Sequence, residues 1–112
     1  MNYERLNKYQ IMLLFVFFDL PTDTKKQRKI ASSFRKKLLN DGFGMMQYSV
    51  YTRHCASRES AEVHIKRVKA IIPKEGQVTI MQVTDQQYGN ILNFWGKKSE
   101  PLPEGPKQLE MF

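Results

Sequence analysis

From Ile11 to Leu20 the chain is apolar except for Asp19, and Pro21 follows at once. A run of this length is short for a helix and far short of a membrane span, and it fits a strand buried on both faces in the middle of a sheet. Pro21 ends that strand, because proline has no amide proton for the ladder. Whatever fold forms must therefore cover both sides of one strand. Arg5 and Lys8 ahead of the run imitate the start of a signal peptide, yet no small-residue cleavage site follows it.

Two helices are predicted after the strand. Thr24 and Gln27 form a capping box, with Thr22 as a competing cap, and Gln27, Ile30, Ala31, Phe34 and Leu38 then share one arc of roughly 100°. Asn40-Asp41-Gly42 supplies the stop, with Gly at the C′ position. Ser57 caps a second helix whose apolar stripe is Ala61, Ile65, Val68 and Ile72, and Pro73 blocks its continuation. Between them Met45 to Arg53 is rich in aromatic and β-branched residues, and reads as one long strand or two pieces broken near Ser49.

Gln77 to Thr84 is a further strand. Thr84 and Gln87 match a second capping box for a single helical turn, which leads into a last strand at Ile91 to Trp95. The order is β-α-β(β)-α-β-β, an α+β pattern. Three units follow: a leader over residues 1–10, a folded domain over 11–95, and a tail over 96–112 rich in Lys, Glu, Pro and Gly. The end of the tail alternates through Leu109, Met111 and Phe112, which suits a strand added to a partner's sheet as well as it suits a frayed end.

At 112 residues with 41% hydrophobic residues, the chain can bury one core. Eighteen Lys and Arg against eleven Asp and Glu give a net charge of +7, which favours a polyanionic partner. The first predicted helix concentrates that charge: Lys25, Lys26, Arg28, Lys29, Arg35, Lys36 and Lys37 come with no acid between them. A helix that is merely solvated gains a few tenths of a kcal/mol by mixing signs, and like pairs such as Lys25 with Lys29 lose about as much. An external anion explains the excess. Arg53, Arg58, Lys66, Arg67, Lys69 and Lys74 make a weaker group, diluted by Glu59, Glu62 and Glu75. No zinc-finger spacing, helix-turn-helix or RNA-recognition signature is present, so the pattern points to contact with a nucleic-acid backbone rather than base edges.

Asp19 is the candidate for chemistry. A carboxylate at the tip of so apolar a strand needs solvent, hydrogen bonds or a cation, and its ordinary role is to accept backbone amides in the Leu20-Pro21-Thr22 turn. Magnesium-assisted phosphodiester hydrolysis gathers two or more carboxylates, a need that one Asp meets if a twofold axis brings its mate alongside. Asp23 reads as a helper to the first helix turn. Cys55 is the only cysteine, which excludes an intrachain disulfide and fits a reducing cytoplasm. Its neighbour His54 faces the opposite side of a strand, and nothing specific marks His54 and His64 as an acid–base pair.

Phe17-Phe18-Asp19-Leu20-Pro21-Thr22, the basic helix through Phe34-Arg35-Lys36-Lys37-Leu38-Leu39, Gly42-Phe43, Gln47-Tyr48-Ser49-Val50-Tyr51 and the strand from Gly76 to Thr84 occur together. In that combination, over about Ile11 to Trp95, the sequence resembles the CRISPR-associated Cas-two family, and most closely the form found with type II-A systems. The resemblance implies a ferredoxin-like βαββαβ domain with an extra C-terminal strand, acting as a homodimer in the acquisition of new spacers. Two dimers of the Cas-one integrase are then expected to flank it and to hold a double-stranded DNA prespacer across its middle. It also implies, for members described as endoribonucleases or deoxyribonucleases, Mg2+ at the Asp closing the first strand, which is Asp19. The basic helix and Arg53 are the expected phosphate clamps, and Leu109, Met111 and Phe112 the partner-binding tail.

Overall fold

The computed structural model describes residues 11–102, so the leader and the tail residues Leu109, Met111 and Phe112 lie outside the described residues. Strand β1 (Met12–Asp19) is followed by helix α1 (Lys25–Asn40), strands β2 (Gly44–Gln47) and β3 (Val50–Cys55), helix α2 (Arg58–Ile71) and strand β4 (Gln77–Thr84). A short helix α3 (Asp85–Gly89) and two-residue strands β5 (Phe94–Trp95) and β6 (Lys98–Ser99) complete the order. The main sheet runs β2-β3-β1-β4 with every pairing antiparallel, which is the ferredoxin-like arrangement.

Alternation along β1 divides the core. Met12, Leu14, Val16 and Phe18 point to the inner layer, where they pack with Phe34 and Leu38 of α1 and Ala61 and Val68 of α2. Leu13 and Phe15 point to the outer face and meet Tyr88 of α3, with Phe17, Val83, Ile91 and Leu102 at the margin. Leu13, Leu14 and Val16 are all at 0% exposure, so the strand is covered on both sides as its composition requires. Among the described residues the outer cover is thin: α3 is a single turn, and Met81 of β4, paired with Phe15, remains 40% exposed.

Local chemistry sets the element ends. The capping box at Thr24 forms as expected, with the Gln27 amide donating to the Thr24 hydroxyl and the Thr24 amide to the Gln27 side chain, both at 3.0 Å. The second box, Thr84 with Gln87, caps α3 in the same way. Gly42 ends α1 at φ +91°, a conformation that glycine reaches without strain.

Tyr48 and Ser49 form a turn, so of the two readings of Met45 to Arg53 the pair of strands broken near Ser49 is the one that forms. Other expectations change. The last strand shrinks to Phe94–Trp95 and pairs with Lys98–Ser99 in a hairpin apart from the main sheet, so Gly96, expected to open the tail, lies in its turn with φ +65°. Ile30 is 40% exposed instead of buried in the α1 stripe, because it lies at the margin between α1 and the end of α2.

Candidate nucleic-acid interface

Helix α1 buries Ala31, Phe34 and Leu38 against the sheet, and this fixes where its cations go. At about 100° per residue, Lys25, Lys29 and Lys36 fall opposite that stripe as a solvent ridge, and all three are exposed. Lys26 and Lys37 fall on the flank towards α2, where they border a groove shared with Ile30, Ile71 and Pro73. Arg28 and Arg35 take the opposite flank. Arg28 donates to the carbonyls of Thr22 and Asp23 at 3.0 and 3.2 Å, which ties it to the loop before the helix. Arg35 is half-buried against aromatic rings, its guanidinium carbon 4.2 Å from the Tyr48 ring centroid and 5.2 Å from that of Phe18.

None of these seven cations joins an ion pair among the described residues. The ion pairs gather instead at Asp41, the C-cap of α1. Its carboxylate accepts from His64 Nδ1 at 2.7 Å and Arg67 Nη1 at 2.9 Å, while its carbonyl accepts from Arg53 Nε at 2.8 Å. A carboxylate can only accept, so His64 carries its proton on Nδ1 when neutral. Burial raises the Asp41 carboxyl, but the hydrogen bonds and charges of His64 and Arg67 outweigh it and hold the group below its ordinary value.

Arg53 therefore has structural work at the position expected to clamp phosphate. It donates to the carbonyls of Asp41 and His54, and it lies where a Cβ on Gly42 would approach to 3.0 Å.

Asp19 falls on the outer face with Phe17, beside Ser49, Val50, Gln77 and Thr79, and its side chain is exposed. Helix α1 packs on the inner layer, so the carboxylate and the cationic ridge occupy different sides of the sheet. Gly76, at φ +92°, passes so close to the Asp19 carbonyl that a Cβ there would lie 2.7 Å from it. Among the described residues no three His, Cys, Asp or Glu side chains come together as a metal-binding group. Asp19 therefore belongs to no three-ligand group among the described residues. Asp23 precedes the Thr24 cap rather than lying in the first turn.

The remaining titratable groups are placed apart. His54 lies beside Tyr88 with ring centroids 5.5 Å apart, and burial lowers its pKa against the opposing charge of Asp85. His64 lies in the helical layer on Asp41, so the sheet separates the two histidines. Burial raises the Cys55 thiol despite the lowering contributed by Arg53 and Ser60, which is the reverse of what a nucleophile needs. Sequence reading missed the Asp41 cluster and the seating of Arg35 on Tyr48. Both join residues from different elements, and the chain carries no local signal for either.

A small ferredoxin-like α+β domain, with one helix presenting unpaired cations and a lone strand-end carboxylate on the opposite sheet face, is the class that fold and site define. A family model described as CRISPR associated protein Cas2 matches residues 12–91. A protein of Flavobacterium psychrophilum named CRISPR-associated endoribonuclease Cas2 is 54% identical over 111 residues, covering 99% of this chain and 96% of its own. One of Parvibaculum lavamentivorans with the same name is 54% identical over 101 residues, covering 90% of this chain and 100% of its own. The chain belongs to the Cas2 family. A solved structure titled "Crystal structure of cas2" shares the fold at a TM-score of 0.55 and 19% identity, over 84% of this chain and 97% of that one.

Proposed function

We propose that this protein is a dimeric, DNA-binding scaffold of CRISPR spacer acquisition, holding a duplex prespacer in the cytoplasm between two dimers of the Cas-one integrase. The observation that carries the reading is the α1 surface: seven cations in 13 residues, with no carboxylate paired to them among the described residues. A duplex carries one negative charge per roughly 1.7 Å of axis and meets such a surface without base-specific contact. The thinly covered outer face, with Met81 exposed beside Phe15, suits burial against a second copy.

The test is integration by the reconstituted complex. Lys25→Glu, Lys29→Glu and Lys36→Glu together abolish duplex binding and spacer integration, whereas Asp19→Ala leaves both intact. Loss of integration in an assembled Asp19→Ala complex overturns the scaffold reading.

A second reading rests on Asp19 and on the endoribonuclease name of the relatives. In a dimer formed through the outer face, the Asp19 carboxylates of the two subunits would hold Mg2+, and the bound ion supplies an activated water for phosphodiester cleavage. Asp19 itself then binds and orients. This reading requires cleavage that is abolished by chelator and by Asp19→Ala in the same preparation.

A further inference from the structure

Arg35 differs from the other cations of α1 in how it is held. The core supports its position: Phe18 packs edge-on against Phe34 at 5.1 Å and tilted against Tyr51 at 5.5 Å, and the Arg35 guanidinium carbon lies over the Phe18 ring, 5.2 Å from its centroid. Tyr48, from the β2–β3 turn, covers the guanidinium at 4.2 Å and is itself 71% exposed. Rings from β1 and from the β2–β3 turn thus hold one guanidinium between them. The lysines of the ridge have no such support, and each must lose rotamer freedom to hold a ligand.

The hydrogen bonding is as informative as the stacking. Arg35 Nε is buried without a hydrogen-bond partner, and among the described residues the side-chain hydrogen bonds of the arginines belong to Arg28, Arg53 and Arg67, not to Arg35 Nη1 or Nη2. A guanidinium that served only to fasten the turn to the helix would be expected to find a carbonyl, as Arg28 and Arg53 both do. Arg35 instead leaves Nη1 and Nη2 without an acceptor while rings hold its guanidinium on two sides. That combination matches the two-pronged recognition of a phosphate.

We infer that Arg35 and Tyr48 form a preorganised phosphate-binding site, in which Tyr48 positions the guanidinium and Arg35 grips one backbone phosphate of the bound nucleic acid. The inference rests on the DNA-binding reading above and names its fixed contact point. The lysine ridge then supplies diffuse attraction, and the Arg35 fork sets where along α1 the backbone is held. Tyr48 is a positioning residue: it contributes no charge, yet binding depends on it.

Fluorescence anisotropy of a labelled duplex, titrated with full-length protein across a salt series, tests this together with thermal melting of each variant. Arg35→Ala lowers affinity about tenfold, as expected for loss of a charge-assisted contact, and reduces the slope of log K against log salt by about 0.9. Tyr48→Ala weakens binding severalfold with the slope kept, and Tyr48→Phe restores parental affinity because the ring face does the positioning. The double variant binds no worse than Arg35→Ala alone, since Tyr48 acts through Arg35. Arg35→Lys, which keeps the charge and loses the fork, carries the test if melting shows that Tyr48→Ala is unfolded, and it is expected to bind about as poorly as Arg35→Ala. Parental affinity in Arg35→Ala or Arg35→Lys, or additive losses in the double variant, overturns the inference. If the glutamate variants of Lys25, Lys29 and Lys36 lose binding while the Arg35 variants do not, only the fork fails. If all bind normally, the DNA-binding reading fails with it.

Discussion

Replacing Asp41 should destabilise the fold, because its carboxylate ties the end of α1 to His64 and Arg67 of α2. Its carboxylate is 17% exposed and accepts from the His64 ring, itself 9% exposed, at 2.7 Å. A hydrogen bond to a charged group contributes about 1.5–3 kcal/mol, and its loss leaves the buried His64 N–H without an acceptor. The Arg67 contact adds roughly 0.2–1 kcal/mol, since that side chain is 61% exposed and screened by solvent. Asp41→Ala is therefore expected to cost about 2–3 kcal/mol, a fall in melting temperature on the order of 10–20 °C for a domain of this size. Asp41→Asn keeps an acceptor oxygen and should lose about half as much. The pH dependence follows from the depressed carboxyl, which faces His64 and Arg67. A carboxyl whose folded pKa lies below its unfolded value stabilises the fold above the unfolded value, about 3.9, and loses that contribution as pH falls through the folded one. The stability gap between parent and Asp41→Asn, measured by urea denaturation at fixed protein concentration, should be present at pH 5 and close below about pH 4. A gap that persists at pH 2, or an Asp41→Ala loss under about 0.5 kcal/mol, refutes this account of the cluster.

Gly76→Ala places a methyl group 2.7 Å from the Asp19 carbonyl at a backbone φ of +92°, so it should cost roughly 1–3 kcal/mol in chemical denaturation. It should also alter the amide environment of Asp19 and Leu20 by NMR, and unchanged stability would show that the strand end moves freely. Cys55, buried with its thiol raised, should resist iodoacetamide in the folded protein and react on unfolding, as read by intact mass. Rapid native labelling would mean that β3 opens.

What the sequence revealed is what neighbouring residues decide between them. β1 was legible because an apolar run closed by Pro21 has few other uses, and both capping boxes were legible because donor and acceptor lie three residues apart. Identity of the charged surface was legible too, since the three buried positions of α1 dictate where Lys25, Lys29 and Lys36 must point. The individual roles of the arginines were not. Arg28, Arg35 and Arg53 look alike in the chain, yet one ties down a loop, one lies between rings and one fastens the end of α1 to β3. Those fates depend on partners up to 17 residues away in the chain, as Phe18 is from Arg35. The last strand failed for a related reason: Phe94 and Trp95 have strand propensity, but the sheet edge they pair with is set by a turn at Gly96 and Lys97 rather than by their own composition.

The layering of the fold makes the two readings of function separable by experiment. Asp19 projects from the sheet face opposite α1, and β1 itself lies between them with its residues committed alternately to the two sides. A substitution confined to the exposed lysines of the ridge leaves the packing of Phe17, Val50 and Thr79 around Asp19 untouched, and Asp19→Ala removes an exposed carboxylate without disturbing Phe34 or Leu38. Sites that share no partner contribute independently, so ridge and carboxylate variants combined should show the sum of their separate effects on binding. Strong coupling between them would require the nucleic acid to pass around the sheet edge and touch both faces at once. The β2–β3 turn offers such a path, because the Ser49 carbonyl accepts from the Phe18 amide while its neighbour Tyr48 covers Arg35.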